Sequence, residues 1–238
     1  MSDTIEPIRR RKLYQDVMDR LIGLIRAEGY RPGDSLPSER ELMERYGVGR
    51  PAVREALQNL EWMGLITISH GERARLADPN FGTLMGHIAL ATNHILHHSE
   101  RSLEELKQAR MLYEVTIVRL AAERATPDDV ARLQERLDAH RDSLPDKSRF
   151  LELDMLFHKE IAAITGNSIF PAFTEALIGW LAEFYRVLVR LPGSEQLTLA
   201  EHQRIIDSVA ANDPDAAEYA MRDHLMRANA LYRQYETN

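Results

Sequence analysis

Four side chains that commonly bind metal ions lie on apolar stripes of three predicted helices. Asp154 and His158 are one helical turn apart on a stripe of aromatic and aliphatic residues, and His202 and His224 occupy similar stripes farther along the chain. Burying an imidazole or a carboxylate is costly unless it finds a partner, and a divalent cation would serve all four groups at once. The pattern therefore indicates either a metal centre or a hydrogen-bonded polar cluster in the core.

The segment that carries these residues, from 82 to 235, has helical periodicity and no alternation typical of strands. Breaks at Pro, Gly and Asn divide it into seven predicted helices, at about 82–98, 103–125, 127–144, 147–165, 168–191, 195–211 and from 214 onward. The first is expected to turn Leu84, Ile88, Ala91 and Ile95 inward. The helical pattern of this half of the chain therefore predicts one antiparallel all-α bundle.

Arg110 lies on the inward stripe of the second predicted helix of this bundle. A buried guanidinium needs a carboxylate, which either Glu114, one turn onward, or an acidic ligand could provide. We prefer Glu114 but keep the ligand as an alternative. His87, His94 and His98 flank an apolar stripe and are interpreted as a solvated or dimer-facing edge.

Residues 37–77 have the pattern of two short helices followed by a hairpin. Ser38 and Glu41 form a capping box at the start of the first helix, and Gly47 can take the positive φ that ends it. The second helix then buries a new apolar stripe, which comprises Val53, Ala56, Leu57 and Leu60. This spacing is typical of a helix-turn-helix.

Two arginines and a predicted wing complete a DNA-reading unit. Arg50 and Arg54 share a face at the start of the second helix, where a recognition helix reaches base edges. Alternating residues at 65–68 and 73–76 predict two strands, with a turn at His70 and Gly71. The sequence thus predicts a winged helix-turn-helix that binds double-stranded DNA.

The segment LPSERELMERYGVGRPAVREAL, followed by GLITISHGERARL, resembles the winged-helix domain of the GntR family of bacterial transcription regulators, over residues 9–77. The resemblance implies that the operator contacts are made by Arg40, Arg50 and Arg54, with His70 and Gly71 at the wing tip entering the minor groove.

The pattern Asp-x-x-x-His with two later histidines is similar to the ligand set of the FCD domain, the effector-binding half of FadR-type GntR regulators, over residues 82–235. It implies that Asp154, His158, His202 and His224 hold zinc, or else nickel or manganese, with open positions for an effector oxygen. The implied effector is a small carboxylate or sugar acid, with Arg110 as a candidate contact. The segments GERAR and QARMLYEVTIVRLAAERAT resemble the sialic-acid-responsive branch, which implies N-acetylneuraminate.

Composition limits the classes of protein that remain. The chain has no cysteine, which excludes disulfides and thiolate zinc sites. Residues 1–77 hold 13 Lys and Arg against 12 Asp and Glu, so the net charge of −7 comes from the acidic residues in the rest of the chain. The start MSDTIEPIRRRK has no apolar leader and no membrane span follows, so we expect a cytoplasmic protein.

These patterns together predict a metabolite-responsive repressor that binds operator DNA as a homodimer, since two winged helices must meet two half-sites. One alternative is a metal-dependent enzyme, although no extra side chain stands out as a general base. Another is a metal-free regulator that responds to an acyl-CoA.

Overall fold

The computed structural model describes residues 12–69, 71–78, 81–188 and 194–236. The chain divides into two compact units, with the division between His87 and Ile88. In the described ranges, none of the helices combines the length and apolar character needed to span a bilayer.

Three helices form the frame of the first unit: α1 (Leu13–Glu28), α2 (Glu39–Tyr46) and α3 (Arg50–Trp62). The predicted capping box is present, because the Glu41 backbone N–H donates to Ser38 Oγ at 3.3 Å and the Ser38 N–H donates to the Glu41 carboxylate at 2.6 Å. Gly47 ends α2 with a φ of 64°. The whole predicted stripe of α3 is buried, so the helix-turn-helix follows from its start and stop signals.

The wing consists of β1 (Ile66–Thr67) and β2 (Arg75–Leu76), which pair antiparallel with Ile66 opposite Leu76. These strands are shorter than predicted. One reason is that the Ile68 N–H donates to the Glu61 carboxylate of α3 at 2.9 Å instead of to a strand partner. Gly71 turns with a φ of 77°, and His70 lies outside the described residues.

Seven further helices follow in the described chain, of which α4 spans the division between the two units, and their ends agree with the sequence prediction to within about three residues. They are α4 (Phe81–His98), α5 (Glu100–Arg124), α6 (Pro127–Asp142), α7 (Lys147–Ile164), α8 (Ile169–Leu188), α9 (Ser194–Ala210) and α10 (Pro214–Glu236). In this part of the described chain α10 packs on α5 and α9, and α7 packs on α6 and α8. The core that they enclose includes Val118, Leu133, Phe157, Ile161, Ile205 and Met221.

The predicted inward face of α4 is wrong where its side chains are described. Ile88 and Ile95 are 40% and 54% exposed, whereas Leu96 is only 5% exposed and packs with Leu103 and Leu181. Apolar residues occur on nearly every side of α4, so periodicity alone does not select the buried face. The side chains of Leu84 and Ala91 lie outside the described set.

The capping box gives a stability prediction for the first unit. Ser38→Ala removes the acceptor for the Glu41 N–H and should lower the free energy of unfolding by about 1 kcal/mol. The measurement is urea denaturation followed by circular dichroism, with Ser69→Ala in the exposed wing as the control. Equal stability of the two variants would contradict the assigned cap.

Candidate metal centre and DNA-reading surface

The structure brings together the four side chains that the sequence analysis proposed as metal ligands. Asp154 and His158 come from α7, His202 from α9 and His224 from α10, and one ligand atom from each lies within 4.8 Å of all the others. Two ligands of a tetrahedral zinc ion lie about 3.3 Å apart, since each Zn–N bond is about 2 Å long. Small side-chain adjustments would therefore let all four atoms reach one ion.

Aromatic packing fixes the central imidazole. The ring of His202 stacks on Phe157 with centroids 4.0 Å apart and planes inclined by 11°. Its Nε2 points toward Asp154 Oδ1 at 3.5 Å, and its centroid is 4.8 Å from that of His224. All three histidines are buried, while the side chain of Asp154 remains 19% exposed. The centre is thus buried on its histidine side and partly open at the carboxylate.

Glu114 supports the ring of His158 through a contact at Nδ1. This carboxylate on α5 contacts Nδ1 of His158 and also forms an ion pair with Arg110, and both members of that pair are almost fully buried. Burial alone would raise the pKa of Glu114, but Arg110 and His158 outweigh it and hold the pKa well below its usual range. Because Nδ1 contacts the anionic Glu114, Nε2 is the nitrogen of His158 that is left to bind a metal.

A second carboxylate, Glu201, holds His224 in the same way. His224 Nδ1 lies 2.8 Å from Glu201 Oε2. Arg227 binds both oxygens of Glu201, each at 2.6 Å, and also donates to Thr198 Oγ1 at 3.0 Å. Burial raises the pKa of Glu201, yet the hydrogen bonds from His224 and Arg227 lower it overall. Carboxylates behind metal-binding histidines are a common arrangement because they fix the tautomer and orientation of the ring.

The buried nitrogens test whether this donor set fits a metal. Within the described residues, Nε2 of His158 and both ring nitrogens of His202 are buried without a hydrogen-bond partner. Burial holds the pKa of His202 well below 6.5 and also lowers that of His224, against the opposing effect of Glu201. Neutral imidazoles with inward lone pairs and a carboxylate suit zinc and similar divalent ions. The residues fit a metal.

The structure also reveals residues that the sequence analysis missed. Glu201 and Arg227 were not identified, although Glu201 precedes one proposed ligand and Arg227 follows another by three positions. His140 of α6 is fully buried, with its ring centroid 3.9 Å from that of Phe150 and 5.4 Å from that of His202. Its place on the Leu133–Leu137 stripe could have identified it as a buried histidine beside the centre.

Arg110 adopts the arrangement that we preferred from the sequence, an ion pair with Glu114. His98 is exposed, in keeping with a solvated edge, while the side chains of His87 and His94 lie outside the described residues.

The proposed DNA-reading side chains lie on the surface of the first unit. Arg50 and Arg54 are each 62% exposed at the start of α3, and Arg40 on α2 is 81% exposed beside Glu44. Gly71 is exposed at the turn of the wing. His70, the other wing-tip residue, is not described.

One carboxylate links the two arginines of the recognition helix. Glu39 Oε1 accepts a hydrogen bond from Arg54 Nε at 2.9 Å, and Glu39 Oε2 lies 3.6 Å from Arg50 Nε. A guanidinium held at Nε still has its two terminal amino groups, which match the O6 and N7 acceptors of guanine. The arrangement suits base recognition in the major groove.

Comparison with known proteins agrees with both halves of this description. The profile of the bacterial regulatory proteins of the gntR family matches residues 13–76, and the FCD domain profile matches residues 105–227. The HTH-type transcriptional repressor NanR of Cronobacter sakazakii is 38% identical over 229 residues, which cover 95% of this chain and 88% of the relative. NanR of Escherichia coli K12 is 35% identical over 231 residues, which cover 96% and 88%.

Solved structures show the same fold. Streptococcus agalactiae GntR aligns with a TM-score of 0.61 at 25% identity, over 90% of this chain and 97% of that one. E. coli McbR/YncC aligns with a TM-score of 0.53 at 21% identity, over 95% and 100%. The chain therefore belongs to the GntR family of bacterial transcription regulators, with an N-terminal winged helix-turn-helix and a C-terminal FCD domain, and it is a regulator and not an enzyme.

Proposed function

We propose that this regulator is a repressor that binds a palindromic or repeated operator as a homodimer in the cytoplasm, and that a small carboxylate bound to a metal in the FCD domain controls its affinity for DNA. The observation that carries the proposal is the group of Asp154 and the buried His158, His202 and His224, whose ligand atoms converge within 4.8 Å. Carboxylates contact Nδ1 of two of these histidines, Glu114 at His158 and Glu201 at His224.

In the proposed complex with DNA, Arg50 and Arg54 read base edges in the major groove while Arg40 contacts the operator from α2. His70 and Gly71 at the wing tip enter the minor groove. The exposure of the three arginines supports this assignment. A homodimer is expected because two recognition helices about one turn of DNA apart read two half-sites.

The proposed metal is zinc, with nickel or manganese as alternatives, since three imidazoles and a carboxylate suit all three ions. When bound, the metal supplies a Lewis-acidic centre that takes the carboxylate oxygens of an effector. Asp154 and the three histidines hold it, and Glu114 and Glu201 keep two of the rings in position.

The proposed effector is a sugar acid, with N-acetylneuraminate as the first candidate. Its carboxylate matches a cation better than a neutral sugar does. Support for this choice comes from the resemblance to the sialic-acid-responsive branch and from the similarity to relatives named NanR. Arg110 is proposed to act on the effector indirectly, because it pairs with Glu114, which contacts the proposed ligand His158.

Operator binding should depend on both arginines of the recognition helix. Arg50→Ala and Arg54→Ala should each weaken binding by about 1–3 kcal/mol if the side chain makes a bidentate contact with a base. The measurement is fluorescence anisotropy with a selected operator and a scrambled duplex at fixed salt. Arg26→Ala, which removes an exposed arginine from α1, serves as the control. Unchanged operator affinity in the double variant would refute the assigned reading surface.

Metal should stabilise the folded protein. An ion present at about a hundredfold over its Kd adds roughly 2.7 kcal/mol to the free energy of unfolding, so a chelator should lower the melting temperature. His202→Ala should lose both the bound metal and the response to chelator, while the exposed His97→Ala keeps both. Elemental analysis of metal-reconstituted protein provides the stoichiometry. Wild-type protein that takes up no metal and ignores chelator would favour a hydrogen-bonded cluster instead.

The lowered pKa values of His202 and His224 predict a pH dependence in the chelated protein. As pH falls below 6.5, the unfolded chain binds protons that these buried rings do not, so stability is lost. Denaturation at pH 7.5, 6.5 and 5.5 measures the loss of stability. The pKa values of Glu114 and Glu201 are lowered from 4.5, so the protonation of these carboxylates does not contribute above pH 5. The His202→Ala variant should show a weaker dependence. Equal stability at all three pH values in the wild-type protein would contradict this account.

A further inference from the structure

We infer that the buried centre, once it holds a divalent ion, selects effectors that carry a single negative charge. This inference rests on the proposed metal centre and extends it to the charge class of the ligand. It follows from the charged side chains that surround the four ligand residues.

Three carboxylates and two guanidinium groups make up the buried or partly buried charge around the centre in the described part of the chain. Asp154 is a proposed ligand, and Glu114 and Glu201 contact the ligand histidines. Arg110 pairs with Glu114, and Arg227 pairs with Glu201. Each arginine therefore neutralises the charge of one of the two supporting carboxylates. The negative charge of Asp154 remains, so the five groups together carry a net charge of −1.

The remaining groups do not alter this balance. The three ligand histidines count as neutral, because a metal binds the neutral imidazole. Arg204 approaches Glu201 only to 3.9 Å and its side chain is 56% exposed, so water screens its charge. A divalent ion consequently brings the centre to +1, and one monoanionic carboxylate brings it to zero.

A dianion would instead leave a net negative charge beside Asp154, Glu114 and Glu201. Both supporting carboxylates are only 4% exposed, so water compensates an added charge poorly at this depth. In a dianionic effector whose two carboxylates are separated by two carbons, the second carboxylate lies in the same electrostatic field as the first. It should weaken binding at least about tenfold relative to an uncharged group of the same size.

L-malate and its C4 monoamide provide a matched pair of probes. Both present the same 2-hydroxycarboxylate to a metal and have nearly the same shape, but they differ by one charge. Titration calorimetry with metal-loaded, full-length protein should show that the monoamide binds at least tenfold more tightly than malate. Malate binding as tightly as the monoamide, or failure of both to bind metal-loaded protein, would overturn the inference.

Charge variants separate this explanation from a steric one. Glu114→Gln removes one negative charge, so the preference for the monoamide should shrink at least tenfold or reverse. Arg227→Gln removes one positive charge, so both acids should bind more weakly, malate most of all. Glu160→Gln removes a carboxylate that pairs with Arg132 and Arg136 instead of with a proposed ligand histidine, and it should leave the preference unchanged.

Metal content and circular dichroism of every variant are measured beside the titrations. Opposite effects of the Glu114 and Arg227 variants support the inference, whereas equal effects of all three variants overturn it. If one variant at the centre does not fold, the other still tests the predicted direction. Absence of bound metal in the wild-type protein would overturn the proposed metal centre itself, a result distinct from a metal-loaded protein that binds both acids equally well.

Discussion

The cost of burying three imidazoles side by side constrains the whole helical domain. A buried nitrogen without a hydrogen-bond partner costs about 1–3 kcal/mol, and His158 and His202 contain such nitrogens among the described residues. A core that served stability alone would fill this space with aliphatic side chains. The bundle instead keeps the imidazoles and supports them with Glu114 and Glu201, which is the arrangement expected of a ligand site.

The supporting ion pairs connect this centre to the packing of the bundle. Asp154 and the histidines join α7, α9 and α10, while Glu114 adds α5 from behind. Glu114 joins α5 to α7 through His158, and Glu201 joins α9 to α10 through His224 and Arg227, so these contacts hold the helices in a defined arrangement. A ligand that binds two arrangements of a domain with different affinity shifts the balance between them. A centre shared by four helices is well placed to do so.

The sequence was sufficient to predict most of the architecture. Start and stop signals such as Ser38, Gly47 and Pro127 mark helix ends through local backbone chemistry, which does not depend on the rest of the fold. The four proposed ligands were recognisable because each is a polar residue on an otherwise apolar stripe. The family resemblance seen in the sequence agrees with the profiles that match the two parts of the chain, gntR and FCD.

Other features depend on tertiary contacts that periodicity does not encode. Glu201 is adjacent to His202, so the two side chains leave α9 in different directions, yet both are buried because α10 covers Glu201 through His224 and Arg227. The face of α4 was mispredicted because that helix is apolar on most sides. The wing strands are short because Glu61 of α3 takes a backbone donor that the sequence assigned to the sheet.

The central claim is that a metal held by Asp154, His158, His202 and His224 forms the binding site for a carboxylate effector. Calorimetric titration of N-acetylneuraminate into metal-loaded protein, and into the same protein after chelation, tests it most directly. The account predicts saturable binding that requires the metal and that is lost in His158→Ala. Binding of equal affinity in the chelated protein would contradict it.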